Sequence, residues 1–493
     1  MTSTRKVFLT GAASGVAAIS SASLWSDIAF AADTPGSLGA KTTSGMMDPK
    51  ELQDAVDAAR SKHNVPGVSA AFYADGQIVL ASSGITNVST GIAATQDTLM
   101  HIGSITKLFT TTLVMQLVDD GKVALDRPVV EFMPEFHVGD SEATRTITVG
   151  ELLNHTSGID ANLLPDIGHD KETIENTVAR MRSAPQLHAP ERARSYCNAG
   201  MVIAGYLCQQ LRGKSWYDLI KERIFAPLAM QQAVVLPEDA VLYRLSVGHF
   251  LNPATKAPVR TPLAYLPIGY APAGSTAMMT ASDLMTFGRM HMAKGVGPNG
   301  TRIFSEANAL RMREPFGHVM GPQAFDCTIG WQRSPGGLLH HSGGGPGIVS
   351  MLVTHPASQT AIVVLTNADY GVSVLADLVK PFLKTRLGLD TFAPAPKALA
   401  NQTIDPAPYV GIYENSSVVH EIAAKDGRLT WTAYGRASYD RGVRTERLPT
   451  KELAAAGDGR FLTSDTTFIK FVDPDSSGKS RYLQQDVWLY RRT

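Results

Sequence analysis

A serine and a lysine three residues apart open the run GSITKLFTTTLVMQLVDDGK, from Gly103 to Lys122. On a helix, positions i and i+3 share a face, so Ser104 and Lys107 would point the same way. A lysine aimed into an apolar interior is costly unless it has work there. A serine hydroxyl is a weak nucleophile at neutral pH and needs a base beside it, which that amine could be. The same spacing occurs at Ser3/Lys6, in the N-terminal leader, and at Ser476/Lys479, in a Ser/Gly turn. Only Ser104/Lys107 heads an apolar helix.

Two more triplets carry chemistry-bearing side chains. Tyr196-Cys197-Asn198 follows a Pro-Glu loop and precedes a helix, so the phenol and the amide could hang into a cleft. The matching pair Tyr413/Asn415 falls on a predicted strand and reads as structural. His341-Ser342-Gly343-Gly344 is a glycine break before a predicted strand, and its glycines would let another backbone approach closely. His-x-Gly recurs at His101 and His137 without that context. His340 reads as a neighbour without a chemical role, and the methionines at 278–292 read as core packing. Cys197, Cys208 and Cys327 are irregularly spaced, and neither CxxC nor HExxH occurs. They read as buried thiols, so no metal and no cofactor is assigned.

The elements that must position these residues follow from local signals. Asp48-Pro49 with Glu51 caps a first helix. Two apolar strands flank the Asp75-Gly76 turn. The helix behind Ser104 runs from about Ile105 to Asp120, stopping at Gly121. A short helix in ITVGELLNHTSGI leads into a loop, and another helix runs from about Ala199 to Gly213. Thr280 and Asp283 cap one more. Two strands meet at Pro-Ala-Ser-Gln, and a helix from about Val372 to Leu387 closes the unit. Strands at both ends with helices between predict an antiparallel sheet assembled from distant segments, an α/β (α+β) layer architecture with a helical subdomain. The stretch from Met230 to Ala271 is irregular.

The chain has 493 residues, with 45 Lys+Arg balancing 45 Asp+Glu. That length predicts two or three domains, and the charge balance argues against nucleic acid or an acidic membrane surface as partner. Residues 1–31 read as a secretory signal: Arg5 and Lys6, a small apolar stretch, then Ala29-Phe30-Ala31. The order Thr4-Arg5-Lys6-Val7-Phe8-Leu9 resembles a twin-arginine signal with lysine in second place. This predicts a periplasmic or secreted protein without a stable membrane anchor once the signal is cut. Residues 32–47 form a polar leader and 48–389 the main domain. The Ala/Pro-rich 390–408 reads as a linker. Residues 409–493, in short alternating runs, predict a small all-β domain.

Taken in order, the three triplets match the signature of the penicillin-recognising serine hydrolases. The segments MHIGSITKLFTTTLVMQLVDDGKVALDRPVVEFMPEF, ITVGELLNHTSGI, RSYCNAGMVIAGYLCQQLRGKSWYDLIKERIFAPLAM and PAGSTAMMTASDLMTFGRM resemble the beta-lactamase-related family. That family groups class C-type beta-lactamases, DD-carboxypeptidase-like proteins, D-aminopeptidases and serine esterases. The resemblance covers residues 48–389 and implies its beta-lactamase/transpeptidase-like fold. It implies Ser104 as nucleophile, with Lys107 or Tyr196 as general base; the sequence leaves the two open. It implies Asn198 as a holder of the lysine and of the substrate amide. Backbone N–H groups of Ser104 and Gly344 would form an oxyanion hole beside His341, Ser342 and Gly343. His155 would brace a loop. Lysine usually stands where His341 does and helps to bind a substrate carboxylate. A mostly neutral histidine predicts weaker recognition of anions and a tilt toward small esters or amides. The alternatives are a D-amino-acid peptidase, a DD-carboxypeptidase or class C-like beta-lactamase, and a non-catalytic receptor on the same fold. The C-terminal domain resembles lipocalin-like modules of some members, with shaping the cleft, mediating oligomers and binding a ligand as its open roles.

Overall fold

The computed structural model describes residues 48–493 apart from 163–167, 169–170, 172, 318–325, 390–397, 400–403, 437–443 and 464–467. The expected signal and leader, and most of the expected linker, lie outside the described residues. No described helix is long and apolar enough to cross a membrane.

Five strands form the body of an antiparallel sheet: β1 (Gly67–Ala74), β2 (Gln77–Gly84), β3 (Leu338–Gly345), β4 (Ile348–His355) and β5 (Thr360–Thr366). Their order is β2-β1-β5-β4-β3, extended beyond β3 by Gln332–Ser334 and Asp326–Cys327. The N-terminal hairpin is therefore joined to strands nearly 300 residues away, with Val68 opposite Thr366. Alternation along the strands gives the sheet two apolar faces. Val68, Ala70, Phe72, Ile362 and Val364 pack under α1 (Pro49–Lys62) and α5 (Val372–Leu387). Ala71, Tyr73, Leu352, Val363 and Leu365 face the larger core that includes the helical subdomain.

At the centre of that subdomain lies α2 (Thr106–Asp119), buried on every side from Thr106 to Leu117. Such a helix must satisfy its own polar groups. Thr111 and Thr112 donate back to the carbonyls of Lys107 and Leu108, and Thr110 donates to Pro272. Around it stand α3 (Asn198–Arg212), ended by Gly213 in the left-handed region, and α4 (Ala281–Met292), capped by Thr280.

The C-terminal strands run from Gly411 to Arg492. Eight of the described strands close into a ring, because Val418–Lys425 pairs with both Gly411–Glu414 and Arg428–Arg436. Tyr413, Trp431, Phe461, Phe471 and Tyr490 fill the barrel.

One local expectation changes. The glycine break at 343–345 is strand: β3 stays paired with β4 to Gly345 opposite Ile348. The glycines serve a close approach there. A Cβ on Gly343 would lie 2.0 Å from the Ile102 carbonyl oxygen and 2.4 Å from Ser350 Oγ, whereas one on Gly344 would meet open space. Gly343→Ala is therefore expected to cost about 1–3 kcal/mol by overpacking. Gly344→Ala should stay within about 0.5 kcal/mol. Urea midpoints of the two variants test this, and equal midpoints would contradict the packing described.

Candidate active site

Ser104 sits on a tight 3-10 turn, Gly103–Ile105, that feeds directly into α2. Gly103 makes the turn possible with φ +51°. Because α2 is enclosed, the side chain one turn on is enclosed too: Lys107 is 0% exposed. Its Nζ lies 3.0 Å from Ser104 Oγ and donates to the Ala273 carbonyl at 2.6 Å. Burial holds the amine well below its ordinary 10.5, only partly opposed by neighbouring Cys197. A neutral amine at hydrogen-bond distance can accept the serine proton.

Tyr196 approaches the same hydroxyl from the loop ahead of α3, close enough for Ser104 to act on its phenol. Lys107 Nζ stands 4.7 Å from the Tyr196 ring centre. Burial pushes the phenol well above its ordinary 10.0, with the Ser104 side chain and the charge of Arg194 pulling the other way. The phenol is thus a proton donor at neutral pH. The His155 ring packs 4.4 Å from the Tyr196 ring, and its Nδ1 accepts the Cys197 N–H at 3.2 Å. His155 can take this place because it ends the helix Val149–Asn154 in the left-handed region, behind a Thr148/Glu151 capping box. It braces the loop. Asn198 begins α3, half-buried, its N–H donating to Asn162 Oδ1. Among the described residues its amide is not a partner of Lys107, whose bonds go to Ser104 and Ala273.

β3 closes the third side. The Gly103–Ser104 corner abuts Gly344, so that a Cβ on Gly103 would lie 2.7 Å from the Gly344 nitrogen. Gly344 is exposed, with room in front of it for a substrate group. His341 is buried at 2% exposure, and its Nδ1 is 2.7 Å from the Ser342 carbonyl oxygen. Burial, then the proximity of Lys107, lowers this histidine to about 3. It is neutral and self-engaged. Ser342, half-buried, follows it on the strand. Residues far apart in sequence are thereby brought onto one hydroxyl.

The Beta-lactamase family model matches residues 52–380. The chain belongs to the beta-lactamase family. It is a serine hydrolase of that family. Penicillin-binding protein 4 of Amycolatopsis lactamdurans is 35% identical over 378 residues, covering 74% of this chain and 98% of that protein. The structure of SurE superposes with TM-score 0.74 at 23% identity, over 90% of this chain and 99% of that one, a likeness of fold that spans both domains. The D-amino acid amidase of Ochrobactrum anthropi SV3, solved with L-phenylalanine, gives TM-score 0.56 at 25% identity, over 67% of this chain and 98% of that one.

Three contributors to this family site are not apparent from the motifs. Ala273 supplies the carbonyl that anchors Lys107; it stands in the PAGST segment, which carried the resemblance but no visible role. Arg194, 5% exposed, is the buried cation whose field acts on Tyr196, His155, His340 and His341. The third is the C-terminal barrel, which touches the Tyr196 loop through Val487 and Trp488.

A lysine with a depressed folded value is neutral above that value and protonated below it. Fluorophosphonate labelling of Ser104 should therefore rise with pH and level off well below the 10.5 of an exposed lysine. In the unfolded chain the same amine binds a proton up to its ordinary value, so at pH 7 its burial favours unfolding. Lys107→Met should lower labelling by about 10²–10⁴-fold while the melting temperature at pH 7 holds or rises. A marked fall in melting temperature would show that the amine is buried charged and paired.

Proposed function

We propose that the protein cleaves small amides and esters through an acyl-enzyme on Ser104, with amides of D-amino acids as the favoured class. The observation that carries this is the 3.0 Å approach of a fully buried Lys107 amine to Ser104 Oγ. In this reading neutral Lys107 takes the hydroxyl proton as Oγ attacks the substrate carbonyl carbon. The oxyanion that forms faces the N–H groups of Ser104 and Gly344, donors typically worth about 3–4 kcal/mol each in such sites. As the tetrahedral centre collapses, the leaving amine or alkoxide takes the Tyr196 phenolic proton. The Lys107 ammonium returns a proton to the phenolate. Water then attacks the acyl ester and gives its proton to neutral Lys107; as the acyl–Oγ bond breaks and the acid leaves, the Lys107 ammonium returns that proton to Ser104 Oγ. The directions of the two shifts support this division: burial favours the neutral form of the amine, which is a base, and the protonated form of the phenol, which is an acid.

The likeness to a D-amino acid amidase supports the amide class and the D configuration. Neutral His341, where lysine is usual in the wider family, supports substrates without an anionic group over penicillins. Asn198, at the head of α3, is assigned the substrate amide. The N-terminal signal read from residues 1–31 supports export to the periplasm or beyond.

The test is a panel of D- and L-amino-acid amides, short p-nitrophenyl esters and nitrocefin on the purified protein. Ser104→Ala should lose all turnover and all fluorophosphonate labelling. D-amides are expected to exceed L-amides and nitrocefin in kcat/KM, and His341→Lys should raise nitrocefin turnover relative to the esters. Faster hydrolysis of nitrocefin than of any amide or ester by the native protein would overturn the substrate assignment.

A further inference from the structure

Among the described residues, the barrel meets the main domain chiefly on the segment that leads to Tyr196. Leu187 and Ala193 form an apolar cluster with Tyr482 and Leu489. Arg192 pairs with Asp473 at 2.7 Å. The N–H of Ser416 donates to Asp160 Oδ2 at 2.8 Å. Closest to the chemistry is the last hairpin of the chain, Ser480–Gln485 and Trp488–Arg492, with Asp486 turned by φ +53° at its tip. There the Tyr196 N–H donates to the Val487 carbonyl at 2.8 Å. The next contact runs the opposite way, with the Leu489 N–H donating to Ser195 Oγ at 3.2 Å. The Trp488 ring meets the Tyr196 ring edge-on, with centres 5.9 Å apart.

These contacts fix one residue on two sides. His155 lies against one part of the Tyr196 ring and Trp488 against another, while the backbone is held by Val487. A loop residue so placed has little freedom to leave the Ser104 hydroxyl. Nothing covalent nearby enforces the arrangement, because more than twenty residues separate α5 from the first barrel strand. The noncovalent interface must hold it.

We propose that the tip of the C-terminal hairpin is a positioning element for Tyr196, with Trp488 its principal side chain, so that the barrel belongs to the catalytic apparatus. This rests on the reading of Tyr196 as the acid of the leaving group. Trp488 acts through Tyr196 and need not touch substrate. A misplaced acid slows the breakdown of amides, whose leaving group needs a proton. It matters less for p-nitrophenyl esters, whose leaving group departs as a stable anion. Loss of position should therefore lower kcat for amides more than for activated esters, with little change in KM.

The experiment is a double-mutant cycle on the full-length chain with a D-amino-acid amide and a p-nitrophenyl ester. Trp488→Ala is expected to lower amide kcat by about tenfold or more, and ester kcat by no more than about threefold. Trp488→Phe, which restores an aromatic edge, should recover amide kcat to within about threefold of native. Ser195→Ala, which removes the acceptor of the Leu489 N–H, gives a second and gentler release of the hairpin and should move the amide/ester ratio the same way. In a Tyr196→Phe background, Trp488→Ala should have almost no further effect. An equal loss from Trp488→Ala in native and Tyr196→Phe backgrounds overturns the positioning role while leaving Tyr196 in place. An unaffected Tyr196→Phe single variant overturns instead the acid assignment on which this rests. Should Trp488→Ala fail to fold, Ser195→Ala and Trp488→Phe decide by the amide/ester ratio, and an unchanged ratio in Ser195→Ala counts against the proposal.

Discussion

An amine with no water around it is the constraint on which the site depends. Lys107 has no exposed surface, and its two hydrogen bonds go to the Ser104 hydroxyl and the Ala273 carbonyl. An ammonium ion there would carry a desolvation cost of several kcal/mol, with no carboxylate among the described residues paired to it. The amine can lower that cost by giving up its proton, and in that form it can receive one from the serine. The helix that carries Lys107, directly after the turn that bears Ser104, is buried on every side from Thr106 to Leu117, so the enclosure of the lysine and the stability of the subdomain have a common origin.

The electrostatics of the cleft follow from that choice. Lys107 is held low, His341 is neutral and bonded to its own strand, and Tyr196 keeps its proton. The fixed positive charge of the neighbourhood is Arg194, two residues before Tyr196. In the proposed reaction, charge would develop on the substrate carbonyl oxygen and be met by backbone N–H dipoles. Preorganised dipoles suit that task because they need not reorient as the charge appears. The glycines of β3 allow those dipoles to come close, since a side chain on Gly103 or Gly343 would collide with the opposing backbone.

The two domains solve their β-sheet edges differently, and the difference places the site. The main sheet is open and covered by helices, and its β3 end faces the serine turn. The barrel closes its own edge and offers a hairpin tip instead. That tip makes a backbone hydrogen bond to the loop that carries Tyr196, which His155 of the main domain also braces.

Much of this was legible in the residues themselves. The Asp75-Gly76 hairpin, the Thr280 cap, the helix from about Ala199 to Gly213 and the run behind Ser104 are short-range facts, determined by turn chemistry, capping and periodicity within a few residues. So was the alignment of Ser104 with Lys107, since one helical turn sets it. The glycine run at 343–345 misled, because whether glycines break a strand or admit a neighbour depends on what lies opposite them. The enclosure of Lys107, the anchoring role of Ala273, the buried charge of Arg194 and the reach of Val487 and Trp488 to Tyr196 were decided only by tertiary structure. Burial, field and long-range contact belong to pairs of segments hundreds of residues apart. Local sequence determines which groups are present and how each short element presents them, and packing determines which of them lose water and meet.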